Sequence, residues 1–70
     1  METTKEYRQY RNQILLKATG ANIHKVNGIL GKILSHTNNA AFYKDKDKKK
    51  YEKHLEEIRK QKIEMGKGLK

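Results

Sequence analysis

The chain contains no cysteine, no proline and no tryptophan, and only one phenylalanine. Without cysteine there can be no disulfide and no zinc–thiolate cluster to hold a small fold together, and the absence fits a reducing compartment such as the cytoplasm. Without proline, no helix is interrupted by a fixed φ and a missing N–H. Long apolar runs are missing as well. The longest, Ala40-Ala41-Phe42-Tyr43, falls far short of the roughly 20 residues that a membrane span requires. The first residues, Met1 to Glu6, hold no apolar signal-peptide core. Acidic side chains are few: eight Asp and Glu stand against seventeen Lys and Arg, a formal charge of +9 on 70 residues. Large aliphatic residues and Phe make up one fifth of the chain, which is the boundary between foldable and disordered compositions. A chain this short buries only about 60% of its unfolded surface, so its core is small. Large enzymes, disulfide scaffolds and thiolate metal modules are excluded. The composition leaves one small helical binding domain over 1–70, expected in the cytoplasm and with an acidic partner.

Three helices can be read from the remaining pattern, giving an all-α domain. Thr3 and Glu6 are spaced as a capping box. Tyr7, Tyr10, Ile14 and Ala18 follow on one helical face, and Gly20 is the expected left-handed stop, so the first helix is placed at about 3–18. Asn22 is a good N-cap for a second helix. Its broad apolar stripe is Ile23, Val26, Ile29, Leu30, Ile33 and Leu34. Thr37-Asn38-Asn39 is expected to end it, which places the helix at about 22–36. The third helix is heavily charged, and its start after Asn39 or after Asp45 is ambiguous; about 44–65 is the working range. Tyr51, Leu55, Ile58 and Met65 form a thin apolar seam, with Lys62 in the missing position. Glu56 and Lys60 are spaced as a favourable helix pair. Gly66 is the expected stop, with 66–70 as a flexible tail.

Thr19-Gly20-Ala21-Asn22, then Val26 and Ile29-Leu30, resembles the turn and recognition helix of helix-turn-helix DNA-binding domains. The resemblance covers residues 15–30. Gly20 stands at the turn, Ala21 at the small residue after it, Asn22 at the cap, and Val26 and Ile29 at the inward-packing positions. Leu16 departs from the pattern, since Ala is usual four residues before the Gly. A plain helical hairpin with a short turn shares most of these features. The resemblance implies that the second helix faces duplex DNA.

The exposed side of the second helix combines His24, Gly28, Gly31 and Ser35, flanked by Lys25, Asn27 and Lys32. Each interior glycine costs about 1 kcal/mol relative to alanine, so two of them need a reason. Close approach of a phosphate backbone is one, with Lys25 and Lys32 on phosphates and Asn27 at a base edge. Close packing of another helix is a second, and simple tolerance is a third. Residues 44–70 carry eleven basic and six acidic side chains, and residues 1–43 carry six and two, so the charge is spread along the chain. Lys46, Lys48, Lys49 and Lys50 form the densest basic run, which reads either as a solvated helix face or as a phosphate footprint. The interspersed Asp45 and Asp47 weaken the second reading and could instead cap the helix and pair with Lys48 and Lys49. Arg8 and Arg11 lie beside Tyr7 and Tyr10. They could grip phosphates, although the tyrosines share the face of Ile14 and fit a core role.

Catalytic patterns are lacking. Ser35 and His36 are neighbours, so they point about 100° apart on a helix and cannot form a nucleophile–base pair. His24, His36 and His54 are not at local metal-binding spacings. Asp45-Lys46-Asp47 lacks the glycine and distal glutamate of a calcium loop, and Gly28–Gly31 lacks the Lys-Ser/Thr of a phosphate loop. The expected function is therefore non-catalytic and needs no cofactor. The leading expectation is nucleic-acid binding, with duplex DNA preferred, through Arg8, Arg11, Asn22, His24, Lys25, Asn27, Lys32 and the Lys46–Lys50 run. The alternative is a small phage or mobile-element protein that binds and inhibits or regulates a host protein. That reading fits a composition rich in Lys, Asn and Ile, whose codons are AT-rich. Its attachment surface would be Gly28, Gly31 and Ser35, or Tyr51, Leu55 and Ile58. Self-association through Leu16 would make a homodimer.

Overall fold

The computed structural model describes residues 4–69. It contains three helices and, among the described residues, no strand: α1 (Thr4–Lys17), α2 (Ile23–Tyr43) and α3 (Lys48–Gly68). Thr3, expected to cap α1, lies outside the described residues. The helix α2 is the centre of the fold and packs against both others, while the backbones of α1 and α3 make no close approach. The two outer helices meet through longer side chains: the Lys62 ammonium lies 5.0 Å from the centre of the Tyr10 ring. The core takes residues from all three helices. Tyr7 and Ile14 come from α1, Val26, Ile29, Leu30 and Ile33 from α2, and Ile58 and Met65 from α3. No described helix is long and apolar enough to cross a membrane.

The turn between α1 and α2 differs from the expected geometry. Gly20 lies in it, but no glycine has a positive φ. The turn is closed instead by reciprocal bonds between Thr19 and Asn22. The Thr19 amide donates to Asn22 Oδ1 at 2.7 Å, and the Asn22 amide donates to the Thr19 carbonyl at 3.2 Å. The Asn22 side chain therefore faces back into the turn and does not cap the amides of α2. With the turn held this way, no left-handed residue is needed.

The second helix does not end at 36. It runs through Thr37-Asn38-Asn39 to Tyr43. Thr37 is buried, and its hydroxyl donates to the Ile33 carbonyl at 2.7 Å, so it satisfies its polar group within the helix. Ala40 is fully buried one turn later. The inward stripe of Ile33, Thr37 and Ala40 thus continues past the polar signal, while Asn38 and Asn39 are exposed. Packing outweighs the weak helix propensity of Thr and Asn. Correspondingly, α3 starts later than 44, with Asp47 as N-cap accepting from the Lys50 amide at 3.2 Å.

The far end of α3 also extends beyond the expected stop. The helix passes Gly66 and reaches Gly68, and Leu69 packs against the core. A Cβ at Gly68 would stand 3.6 Å from Lys25 Cδ and 3.9 Å from Ile29 Cδ1, so this glycine lies in contact with α2. The predicted Glu56–Lys60 pair is replaced by Glu57–Lys60, one residue closer, at 3.5 Å.

Candidate nucleic-acid interface

The expected binding residues fall into distinct groups. Lys25, Gly28 and Lys32 of α2 line an open groove of about 320 Å³, floored by Ile29 and walled by Gln61 and Glu64 of α3. Glu64 is itself paired with Lys67 at 3.5 Å. A Cβ added at Gly28 or Gly31 would meet nothing within 4 Å. Close packing of α3 therefore does not explain these glycines, which leave a shallow, open strip on α2. His24, Asn27, Gly31 and Ser35 are all exposed along that strip. Asn22 is half-buried and engaged by Thr19.

Arg8 and Arg11 sit on α1. Arg8 is exposed; Arg11 is half-buried, and its Nε has no hydrogen-bond partner. Tyr7 is in the core. Tyr10 is half-buried, and burial raises its phenol above the ordinary tyrosine pKa.

The basic run lies at the opposite end of α2. The Lys46 and Asp47 amides both donate to the Tyr43 carbonyl, at 3.0 and 2.9 Å. This folds the connection tightly back over the end of the helix. Lys46 Nζ is thereby placed 4.2 Å from the centre of the Phe42 ring, and Lys50 Nζ lies 5.1 Å from that of Tyr43. Lys46, Lys48, Lys49 and Lys50 are exposed, with no carboxylate within ion-pair distance among the described residues. Asp45 and Asp47 are interspersed with them; Asp47 is occupied as the cap of α3, and neither is within ion-pair distance of these four lysines.

Four residues absent from the predicted interface complete this end. Phe42 is 57% exposed and meets Tyr43 edge-on, with ring centres 4.9 Å apart. Tyr43 lies parallel to His54 at 5.8 Å. His54 in turn meets His36, with the two Nδ1 atoms 2.9 Å apart. The ring centres are 5.2 Å apart, close to the nitrogen separation plus one ring radius on each side, so the nitrogens point at each other. One Nδ1 donates and the other accepts. Burial, then the neighbouring His36 and Lys53, lowers the His54 pKa from its ordinary value, with Glu57 opposing the shift. The available sequence signal was an aromatic pair immediately before a lysine run. Ending the helix at 36 concealed it.

The first basic group shares one edge of α2 with Tyr43, whose ring lies by Lys50 Nζ. Lys25 and Tyr43 are 18 residues apart, a whole number of helical turns, so they lie along the same line about 27 Å apart. Lys32 is within about 20° of that line.

The surfaces expected to bind a protein partner are also divided. Leu16 is 88% exposed. Ile58 faces the core, so it is withdrawn from the expected Tyr51–Leu55–Ile58 seam. Tyr51 and Leu55 line a groove of about 440 Å³ with Glu52, Glu56 and Arg59. No group of three or more potential metal ligands occurs among the described residues. Comparison with family models, curated proteins and solved structures gave no match.

Proposed function

We propose that this chain is a non-catalytic nucleic-acid-binding protein. The observation that carries the reading is the set of four exposed lysines, Lys46, Lys48, Lys49 and Lys50, without carboxylate partners at the start of α3. Ammonium groups free of carboxylates can neutralise phosphates and release their counterions. Lys25 and Lys32 extend the positive edge along α2, and the open surface at Gly28 and Gly31 gives a sugar–phosphate backbone room to approach. The resemblance of residues 15–30 to a helix-turn-helix points toward the same helix and toward DNA.

The test is a fluorescence-anisotropy titration of labelled duplex and single-stranded oligonucleotides across a salt series. Engagement of these six lysines gives a log–log salt slope near −5 on duplex DNA or about −4 on a single strand. Replacing the four turn lysines with glutamine reduces that slope by about 3 to 4. Failure to bind either probe, or binding insensitive to salt, rules the function out.

A second reading rests on Leu16, whose 88% exposure leaves a large apolar side chain in water. It supports a protein partner, including a host protein that this chain would inhibit or regulate. Pull-down from a nuclease-treated lysate separates the readings, since a specific protein retained after nuclease and moderate salt favours the second.

A further inference from the structure

We propose that the Phe42–Tyr43 corner is a stacking site for an unpaired nucleobase, so that the nucleic acid engaged there is single-stranded. This rests on the nucleic-acid reading above and narrows its substrate class. Phe42 lies at the end of α2 with 57% of its surface exposed, in a chain with no other phenylalanine. Its ring stands outside the apolar core of the three helices. It meets the ring of its chain neighbour Tyr43 edge-on. Tyr43 is held in turn by the parallel ring of His54, and His54 by its bond to His36 on α2. The platform is therefore braced across both helices of the α2–α3 hairpin.

Charge complementarity identifies the occupant. The Lys46 ammonium lies 4.2 Å from the Phe42 ring centre and that of Lys50 lies 5.1 Å from the Tyr43 ring centre. Each ammonium lies over its own ring, and His54 stacks on Tyr43 as well, so Phe42 is the ring left to take a base, with the phosphates beside that base drawing Lys46 off the ring face. Stacking on a side chain uses the base face, which remains covered inside a duplex and is accessible in a single strand. The exposed Lys48 and Lys49 continue the positive surface for flanking phosphates. An acidic peptide could use the lysines but would have no need for the aromatic face.

The test compares labelled oligothymidylate, oligouridylate and a hairpin duplex of equal charge, using the full chain and two variants. Phe42→Ala removes an exposed ring and improves helix propensity, so the variant should fold; circular dichroism verifies this. It should weaken binding to both single strands by roughly 5- to 150-fold, the loss of one stacked base, and leave duplex binding unchanged. Phe42→Trp should retain binding. Because the chain has no tryptophan, its emission reports this site alone: single strands should quench it, while the duplex should not. Equal quenching by both single strands would indicate recognition of the base face, and quenching by one would indicate that the sugar or thymine methyl group also contributes. Unchanged single-strand binding by Phe42→Ala, or an equal loss on the duplex, overturns the stacking site. Binding to duplex without binding to single strands overturns it while preserving the broader function. Binding to neither overturns that function too.

Discussion

The two neighbours of α2 cover it unequally. The 21 residues of α3 match the length of α2, and their contacts extend from Tyr43 and His54 at one end to Lys25 and Gly68 at the other. By contrast, α1 has 14 residues, and its two buried side chains, Tyr7 and Ile14, are less enclosed than Ile58 and Met65 of α3. Its last turns leave Leu15 and Leu16 40% and 88% exposed. The pairing of α2 with α3 is thus the principal framework, with α1 as an apolar cover. This difference explains why the exposed aromatic and basic residues can be held rigidly on so small a domain: they belong to the better-supported hairpin.

Truncating the core tests this comparison most severely. Ile58 of α3 is 1% exposed and Ile14 of α1 is 8% exposed. Ile58→Ala should cost about 4–5 kcal/mol and Ile14→Ala about 2–3 kcal/mol, opposite ends of the range for such truncations. A core in a chain this short rarely supplies more than about 3–5 kcal/mol, so the first variant should be largely unfolded or close to it. Urea unfolding followed by circular dichroism gives both values. Equal losses would contradict the unequal roles of the outer helices.

The next test concerns the face of α2 that neither neighbour covers. Since a Cβ at Gly28 or Gly31 meets nothing within 4 Å, the double substitution to alanine should add roughly 1–2 kcal/mol through helix propensity. The same unfolding experiment measures this gain. Weaker nucleic-acid binding by the stabilised variant would show that the glycines serve close approach. Lower stability would mean that something packs there.

The His36–His54 contact allows the α2–α3 pairing to be weakened without altering its apolar core. His54 has a lowered pKa in the folded chain, so folding favours its neutral form. Its contribution is complete above the unfolded value of about 6.5 and decreases as pH falls through that value toward the lower folded one. The urea midpoint should therefore fall below about pH 6.5, before most carboxylates titrate. His54→Asn should flatten this part of the profile. An unchanged slope would remove the histidine pair as its source.

Much of this organisation was legible in the sequence because apolar spacing follows helical geometry. Ile23 to Leu34 identified the central helix, and Tyr7 to Ala18 identified its first neighbour. Helix ends were less legible, since a polar residue can satisfy itself locally while packing inward, as Thr37 does through the Ile33 carbonyl. Ending α2 there separated Phe42 and Tyr43 from the helix that positions them. The Lys46–Lys50 run was visible as charge, but its relation to the aromatic corner depends on the tight return over the Tyr43 carbonyl. The His36–His54 contact was illegible for a similar reason: it joins residues 18 positions apart across a helix interface.

The smallest expected stability effect comes from the outer surface of α1. Leu16 loses little contact when replaced by lysine because it is already 88% exposed. Leu16→Lys should change folding stability by no more than about 0.5 kcal/mol. Its association should be more sensitive, since placing a charge in an apolar contact introduces a desolvation cost. Sedimentation at two concentrations is the discriminating measurement. If a second copy completes the thin cover provided by α1, the unmodified chain should become heavier with concentration and Leu16→Lys should remain monomeric. A strict monomer in both cases would show that α1 is sufficient without a second copy, and would leave Leu16 as an exposed side chain available to a different protein.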